Sequence, residues 1–103
     1  MAEAMKIRAD MVGTLAKVRC IINHPMETGL RKNKTGQVIT AHYITHIGAS
    51  LNGVSVMEGQ VGSGISRNPF LMFWIQGAKP GDTINVNWVD NTGDHNSAET
   101  VIA

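Results

Sequence analysis

One thiol and four imidazoles, on Cys20, His24, His42, His46 and His95, are the side chains best suited to chemistry in this sequence. Together they would suit iron, zinc or copper, and a thiol beside a histidine would suit nucleophilic catalysis. Their spacing opposes both. His42 and His46 fall in one alternating run, where ~3.3 Å of rise per residue sets their backbones ~13 Å apart. A single ion needs its ligand atoms about 2 Å away. His24 lies as far from Cys20 if the preceding strand continues. Cys20 keeps the phase of Val18 and Ile22, which predicts a buried small hydrophobe with a raised pKa and no reactive thiol. We find no paired carboxylates at catalytic spacing, no glycine-rich phosphate loop and no supported Ser-His-Asp set. The residues therefore predict no catalytic group, no metal and no cofactor.

The elements that must carry these side chains are strands. Period-two alternation dominates and no helical stripe is present. Met5 to Met11 alternates, Gly13-Thr14 turns, and Ala16, Val18, Cys20 and Ile22 form the next inward face. Residues 24 to 37 are a long irregular segment, ending in the exposed turn Lys32-Asn33-Lys34-Thr35-Gly36. Ala41 to Leu51 is predicted as one strand. Asn52-Gly53 is a type I′ hairpin signal, leading into Val54 to Val61, and Gly62-Ser63-Gly64 breaks the run. Phe70 to Ile75 is apolar on both faces, which predicts a central, doubly covered strand. Lys79-Pro80-Gly81-Asp82 turns, and Ile84, Val86 and Trp88 point inward. Asn91-Thr92-Gly93-Asp94 turns again into a last strand from Ser97 to Ile102. Trp74 and Trp88 both read as core. Seven short strands with regular turns predict an all-β, immunoglobulin-like antiparallel sandwich, one domain over residues 1–103.

Composition narrows the function classes. Of 103 residues, 43% are hydrophobic, and no stretch approaches the roughly 20 apolar residues of a membrane span. Nine basic residues against eight acidic ones give a net charge of +1, too little for a nucleic-acid footprint. A single cysteine excludes an internal disulfide. Residues 1–10 lack the apolar core of a signal peptide, so composition alone points to the cytoplasm.

Neither core nor turn explains His24-Pro25-Met26-Glu27-Thr28-Gly29-Leu30-Arg31-Lys32. A loop this long in a compact domain is usually functional or disordered. It mixes apolar Met26 and Leu30 with Glu27 and Arg31, which could pair with each other or with a partner's charges. Such a mix predicts recognition surface, with anchors inside a charged rim. Met26, flexible and polarisable, is the expected anchor. Asn68, Pro69 and Phe70 are the expected neighbours, although Phe70 could equally be core and Pro69 could simply open a strand.

That nine-residue stretch, followed by Ser66-Arg67-Asn68-Pro69-Phe70-Leu71 and Trp88-Val89-Asp90-Asn91, resembles SoxZ, the Z subunit of the SoxYZ carrier of thiosulfate oxidation. The resemblance runs from about Met5 to Ile102. It implies a non-catalytic subunit in a heterodimer with SoxY, whose C-terminal cysteine holds the sulfur intermediates. It also implies transient meetings with SoxAX, SoxB and, in some pathways, a sulfur dehydrogenase. The chain ends Glu99-Thr100-Val101-Ile102-Ala103 without a Gly-Gly-Cys tail, which matches the Z partner and not Y. The resemblance places it in the periplasm, co-exported folded with SoxY, and this expectation is preferred to the cytoplasmic one. The isolated subunit could self-associate. The rival readings are a small metal-dependent redox protein, similar to superoxide reductase, and a generic immunoglobulin-like recognition module.

Overall fold

The computed structural model describes residues 5–60 and 67–103. Among them run seven strands, β1 (Lys6–Val12), β2 (Leu15–Ile21), β3 (Ile44–Leu51), β4 (Val54–Gln60), β5 (Phe70–Gln76), β6 (Thr83–Asp90) and β7 (His95–Val101). They form a three-stranded sheet, β1-β2-β5, and a four-stranded sheet, β4-β3-β6-β7. Every pairing is antiparallel. The all-β sandwich predicted from alternation is the observed fold.

Its core is built by the inward phases of both sheets. Val18 and Cys20 of β2 and Ile22 just beyond it meet Ile84, Val86 and Trp88 of β6 and Ile44 of β3, all buried. Each such aliphatic side chain contributes about 1.5–3 kcal/mol through lost apolar exposure. Cys20 is free and buried as expected. Burial pushes its thiol up to about 11. The β3–β4 hairpin turns at Asn52 and Gly53, with φ of 50° and 86°, the two positive values a type I′ turn demands. The predicted turns at Lys79–Asp82 and Asn91–Asp94 also form. Asp82 N–H donates to the Lys79 carbonyl at 3.1 Å, and Gly93 N–H to that of Asp90 at 3.1 Å.

Three expectations change. The first concerns β5, which is not a central strand: it hydrogen-bonds β2 alone and lies at its sheet's edge. Only its Leu71, Phe73 and Ile75 face points inward, while Phe70, Met72 and Trp74 face out. Trp74 therefore leaves the predicted core, and Trp88 keeps its place there. Apolarity on both faces here marks a strand whose outer face is apolar yet left uncovered by the described residues. Second, β3 begins at Ile44, not Ala41, because His42 pairs with Glu27 instead of continuing the strand. Third, the last strand starts earlier, at His95. Val61, the predicted break at Gly62-Ser63-Gly64 and Ser66 lie outside the described residues.

Candidate functional site

At one end of the sandwich the inward alternation of two strands runs past its apolar residues onto polar ones. Beyond β2 the series Cys20, Ile22 continues to His24, and along β6 the series Val86, Trp88 continues to Asp90. His24 and Asp90 are buried polar residues, so each must find partners inside. They find each other. His24 Nε2 donates to Asp90 Oδ2 at 2.9 Å, and His42 Nε2 reaches the same oxygen at 2.7 Å. The other oxygen, Oδ1, accepts Thr92 N–H at 3.0 Å, Thr92 Oγ1–H at 2.6 Å and Asp94 N–H at 2.9 Å. Burial by itself would favour the protonated acid. The hydrogen bonds from Thr92, His24 and His42 outweigh it and hold the carboxyl far below the usual carboxylate range.

His24 is fixed from every side. Its ring stands edge-to-face with Trp88, centroids 5.0 Å apart, and with His42 at 4.6 Å. Met26 N–H donates to its Nδ1 at 3.1 Å. A ring nitrogen that accepts carries no proton, so the ring proton sits on Nε2 and is spent on Asp90. The His24 backbone is held by Asn68, whose Oδ1 accepts His24 N–H at 3.0 Å and whose own N–H donates to the His24 carbonyl at 2.9 Å. Asn68 has a φ of 51°, a left-handed value that asparagine tolerates better than most residues. The 24–31 segment and residues 68–70 are thus neighbours. Ile22 N–H adds a bond to the Pro69 carbonyl at 3.0 Å.

Met26 also has a left-handed φ of 50°, a conformation that costs about 1–3 kcal/mol in a residue of this kind. It persists because its amide is pinned to His24, its thioether accepts Ile44 N–H at 3.4 Å, and its side chain is buried. This overturns Met26 as an exposed anchor. The inward phase after Ile22 and His24 claims it for the core.

From this root a two-stranded ribbon projects. Glu27 and His42 exchange both backbone bonds, at 2.7 and 2.9 Å, and Ile39 N–H donates to the Arg31 carbonyl at 2.8 Å. Asn33 Oδ1 closes the tip by accepting Thr35 N–H, Thr35 Oγ1–H and Gln37 N–H. Gly29, with φ of 85°, lies where a Cβ would stand 3.1 Å from that of Ala41. Arg31 clasps Glu27 in a fork, Nε to Oε1 at 3.0 Å and Nη2 to Oε2 at 2.9 Å. Those bonds lower the Glu27 pKa, with a smaller pull from Arg67, and raise that of Arg31. Leu30 is 85% exposed at the ribbon's side.

Of the segment predicted for recognition, Pro25, Thr28, Leu30, Arg31, Asn68 and Phe70 are exposed, and Glu27 and Gly29 half-buried. His24, Met26 and Pro69 are inside. Sequence spacing missed the convergence of His24, His42 and Asp90, because it weighed His42 against His46 and His24 against Cys20. The available signal was the inward phase of His24 and Asp90. These three residues are the group among those described whose ligand atoms could share a metal, all within 4.8 Å of one another. A metal at Nε2 of His24 would have to displace the proton that the Met26 amide keeps there.

A family model described as Sulphur oxidation protein SoxZ matches residues 5–101. The chain belongs to the SoxZ family. Its role therefore lies in the Sox system of sulfur oxidation. No curated protein matches the chain. Among solved structures it is similar to the crystal structure of hypothetical protein PH1083 from Pyrococcus horikoshii OT3, with a TM-score of 0.68 and 17% identity. That match covers 99% of this chain and 89% of the other. At such identity the likeness speaks for the sandwich alone.

Proposed function

We propose that this SoxZ-family chain is the non-catalytic half of a sulfur carrier, bound to a SoxY subunit whose cysteine holds the sulfur. The observation that carries the reading is the state of Cys20. It is the chain's one cysteine, it is 1% exposed, and its thiol is pushed up to about 11. Nucleophilic attack on sulfur needs an accessible thiolate. A Sox-system chain with no such thiol fits the role of a subunit whose sulfur is carried on another chain.

In this reading the His24–His42–Asp90 group is a structural hub that holds no metal. It fixes the root of the ribbon, and the ribbon offers Leu30, Arg31 and Pro25 to the enzymes that visit the partner's cysteine. SoxAX, SoxB and a sulfur dehydrogenase are the expected visitors. The carrier works in the periplasm, reached in company with SoxY. The test is to load the purified pair with thiosulfate through the Sox enzymes and map the adducts by intact mass. Adducts confined to SoxY, with unchanged loading in Cys20→Ala, are expected. A sulfur adduct on Cys20, or stoichiometric metal surviving a chelator, would overturn the reading.

A further inference from the structure

The two outer faces of the sandwich differ in kind. Across the four-stranded sheet the middle outward rows are polar: Ser50 opposes Asn85, which opposes Glu99, and Gly48, Asn87 and Ser97 make the next row, with exposed Val89 and Val101 standing singly in the rows at either end, opposite His95 and Thr83. That is the ordinary solvated face of an antiparallel sheet. The three-stranded sheet breaks the rule. Ile21, Phe70, Met72 and Trp74 all point outward and are 43, 59, 50 and 46% exposed. Ile21 pairs directly with Phe70, so the four make one continuous apolar strip along β5 and the end of β2. A contiguous patch of large apolar side chains on a soluble chain marks a binding surface.

Charge says what would cover it. The same face carries Lys6, Arg8, Lys17 and Arg19, with one carboxylate, Asp10, bound to Arg19 at 3.0 Å. That leaves five of the nine basic and seven of the eight acidic residues for the rest of the chain. The near-neutral sequence therefore hides a cationic face. A second copy set against it in two-fold symmetry would bring like charges together, which disfavours the pairing. Lys17 Nζ already lies 5.6 Å from the Trp74 ring centroid, so one cation borders the apolar strip.

We infer that the outer face of the β1-β2-β5 sheet is where SoxY docks, through an apolar strip flanked by carboxylates. The inference rests on the reading of this chain as the SoxZ partner of a carrier. Three strands of seven residues span ~23 Å by ~14 Å, a flat footprint short of the ~800 Å² per partner that stable complexes bury. SoxY must therefore also reach past the edge strand β5. The ribbon is left to the visiting enzymes.

The experiment measures binding of full-length SoxY to the wild-type chain, Met72→Glu, Lys17→Glu and a control on the opposite face, Asn85→Glu. Near-UV circular dichroism checks the fold of each. Met72→Glu should weaken binding about 30-fold or more. Lys17→Glu should slow association and flatten its salt dependence, and Asn85→Glu should bind as wild type. Equal SoxY binding by all four proteins would overturn this docking face while leaving the partnership intact. Failure of SoxY to bind the wild type would overturn the functional reading and the inference together. Self-association that Met72→Glu abolishes would assign the face to a second copy and overturn the occupant named here. If Met72→Glu does not fold, Met72→Ser and Phe70→Ser serve in its place, with the same outcomes.

Discussion

Replacing Asp90 by Asn tests the hub most directly, because it keeps the shape and removes only the charge and one acceptor. The carboxylate accepts five hydrogen bonds while fully buried. The amide can keep its oxygen toward Thr92 and Asp94, which turns its NH2 group onto the two imidazoles. His42 can move its ring proton to Nδ1, since no described group hydrogen-bonds that nitrogen. His24 cannot, because Met26 N–H occupies its Nδ1. One buried N–H then faces another at a cost of about 1–3 kcal/mol, and bonds that lose their charge assistance weaken as well. The expected loss is about 3–5 kcal/mol, as for other broken buried pairs, out of a stability of roughly 5–15 kcal/mol. At about 4–8 °C per kcal/mol the melting temperature falls by roughly 12–40 °C. The pH dependence adds a second reading. Asp90 titrates lower in the folded chain than in the unfolded one, so the unfolded state takes up the proton first. Its stabilisation is complete above the ordinary aspartate range near pH ~4 and is lost as pH falls below it. Urea titrations from pH 7 down to pH 3 should show this acid slope in the wild type and a shallower one in the Asn variant, where Glu27 and Asp82 still contribute. A loss under about 1 kcal/mol, or an unchanged slope, refutes the hub.

Other outcomes follow from burial and backbone. Cys20→Ser should cost about 1–3 kcal/mol, and the native thiol should resist a disulfide reagent until the protein is denatured; rapid native labelling would contradict its position. Met26→Ala should cost about 2–5 kcal/mol as a core truncation, whereas Leu30→Ala should leave the melting temperature unchanged. The reverse order would return Met26 to the surface. Gly29→Ala should cost about 1–2 kcal/mol, from its left-handed φ and the approach of Ala41, and amide exchange at Glu27 and His42 should quicken.

Local signals made most of the sandwich legible. Two positive-φ residues at Asn52-Gly53 and strict alternation in β2 and β6 specify hairpin and inward face almost residue by residue. Legibility ends where a single strand's pattern has two physical causes. Apolarity on both faces of β5 fits a strand covered by its own chain, and equally one covered by another chain. Periodicity cannot separate them, and only the edge position of β5 does. Alternation runs on through His42 and so predicts it in β3. Its backbone instead closes the ribbon against Glu27, a pairing fifteen residues away that no local pattern records. The hub could have been anticipated, since an acid and an imidazole at inward phase must each be satisfied inside.

These findings divide the molecule's tasks by chemistry. A buried carboxylate with five donors is a poor place for turnover, because every lone pair is committed and every partner fixed. It is well suited to rigidity: it ties the end of β6 to the chain leaving β2 and to the residue entering β3, so the ribbon leaves the sandwich at a set angle. The exposed apolar strip on β5 lies on the neighbouring sheet and begins at Phe70, two residues from the Asn68 that clamps His24. One short segment thus ends in the hub on one side and in the proposed docking face on the other. A partner seated on Phe70 and Met72 would hold its tail at a defined distance from Leu30 and Arg31. In the proposed carrier, loss of the hub should then disturb enzyme visits more than it disturbs SoxY binding, because the ribbon depends on Asp90 while the strip depends on the β2–β5 ladder.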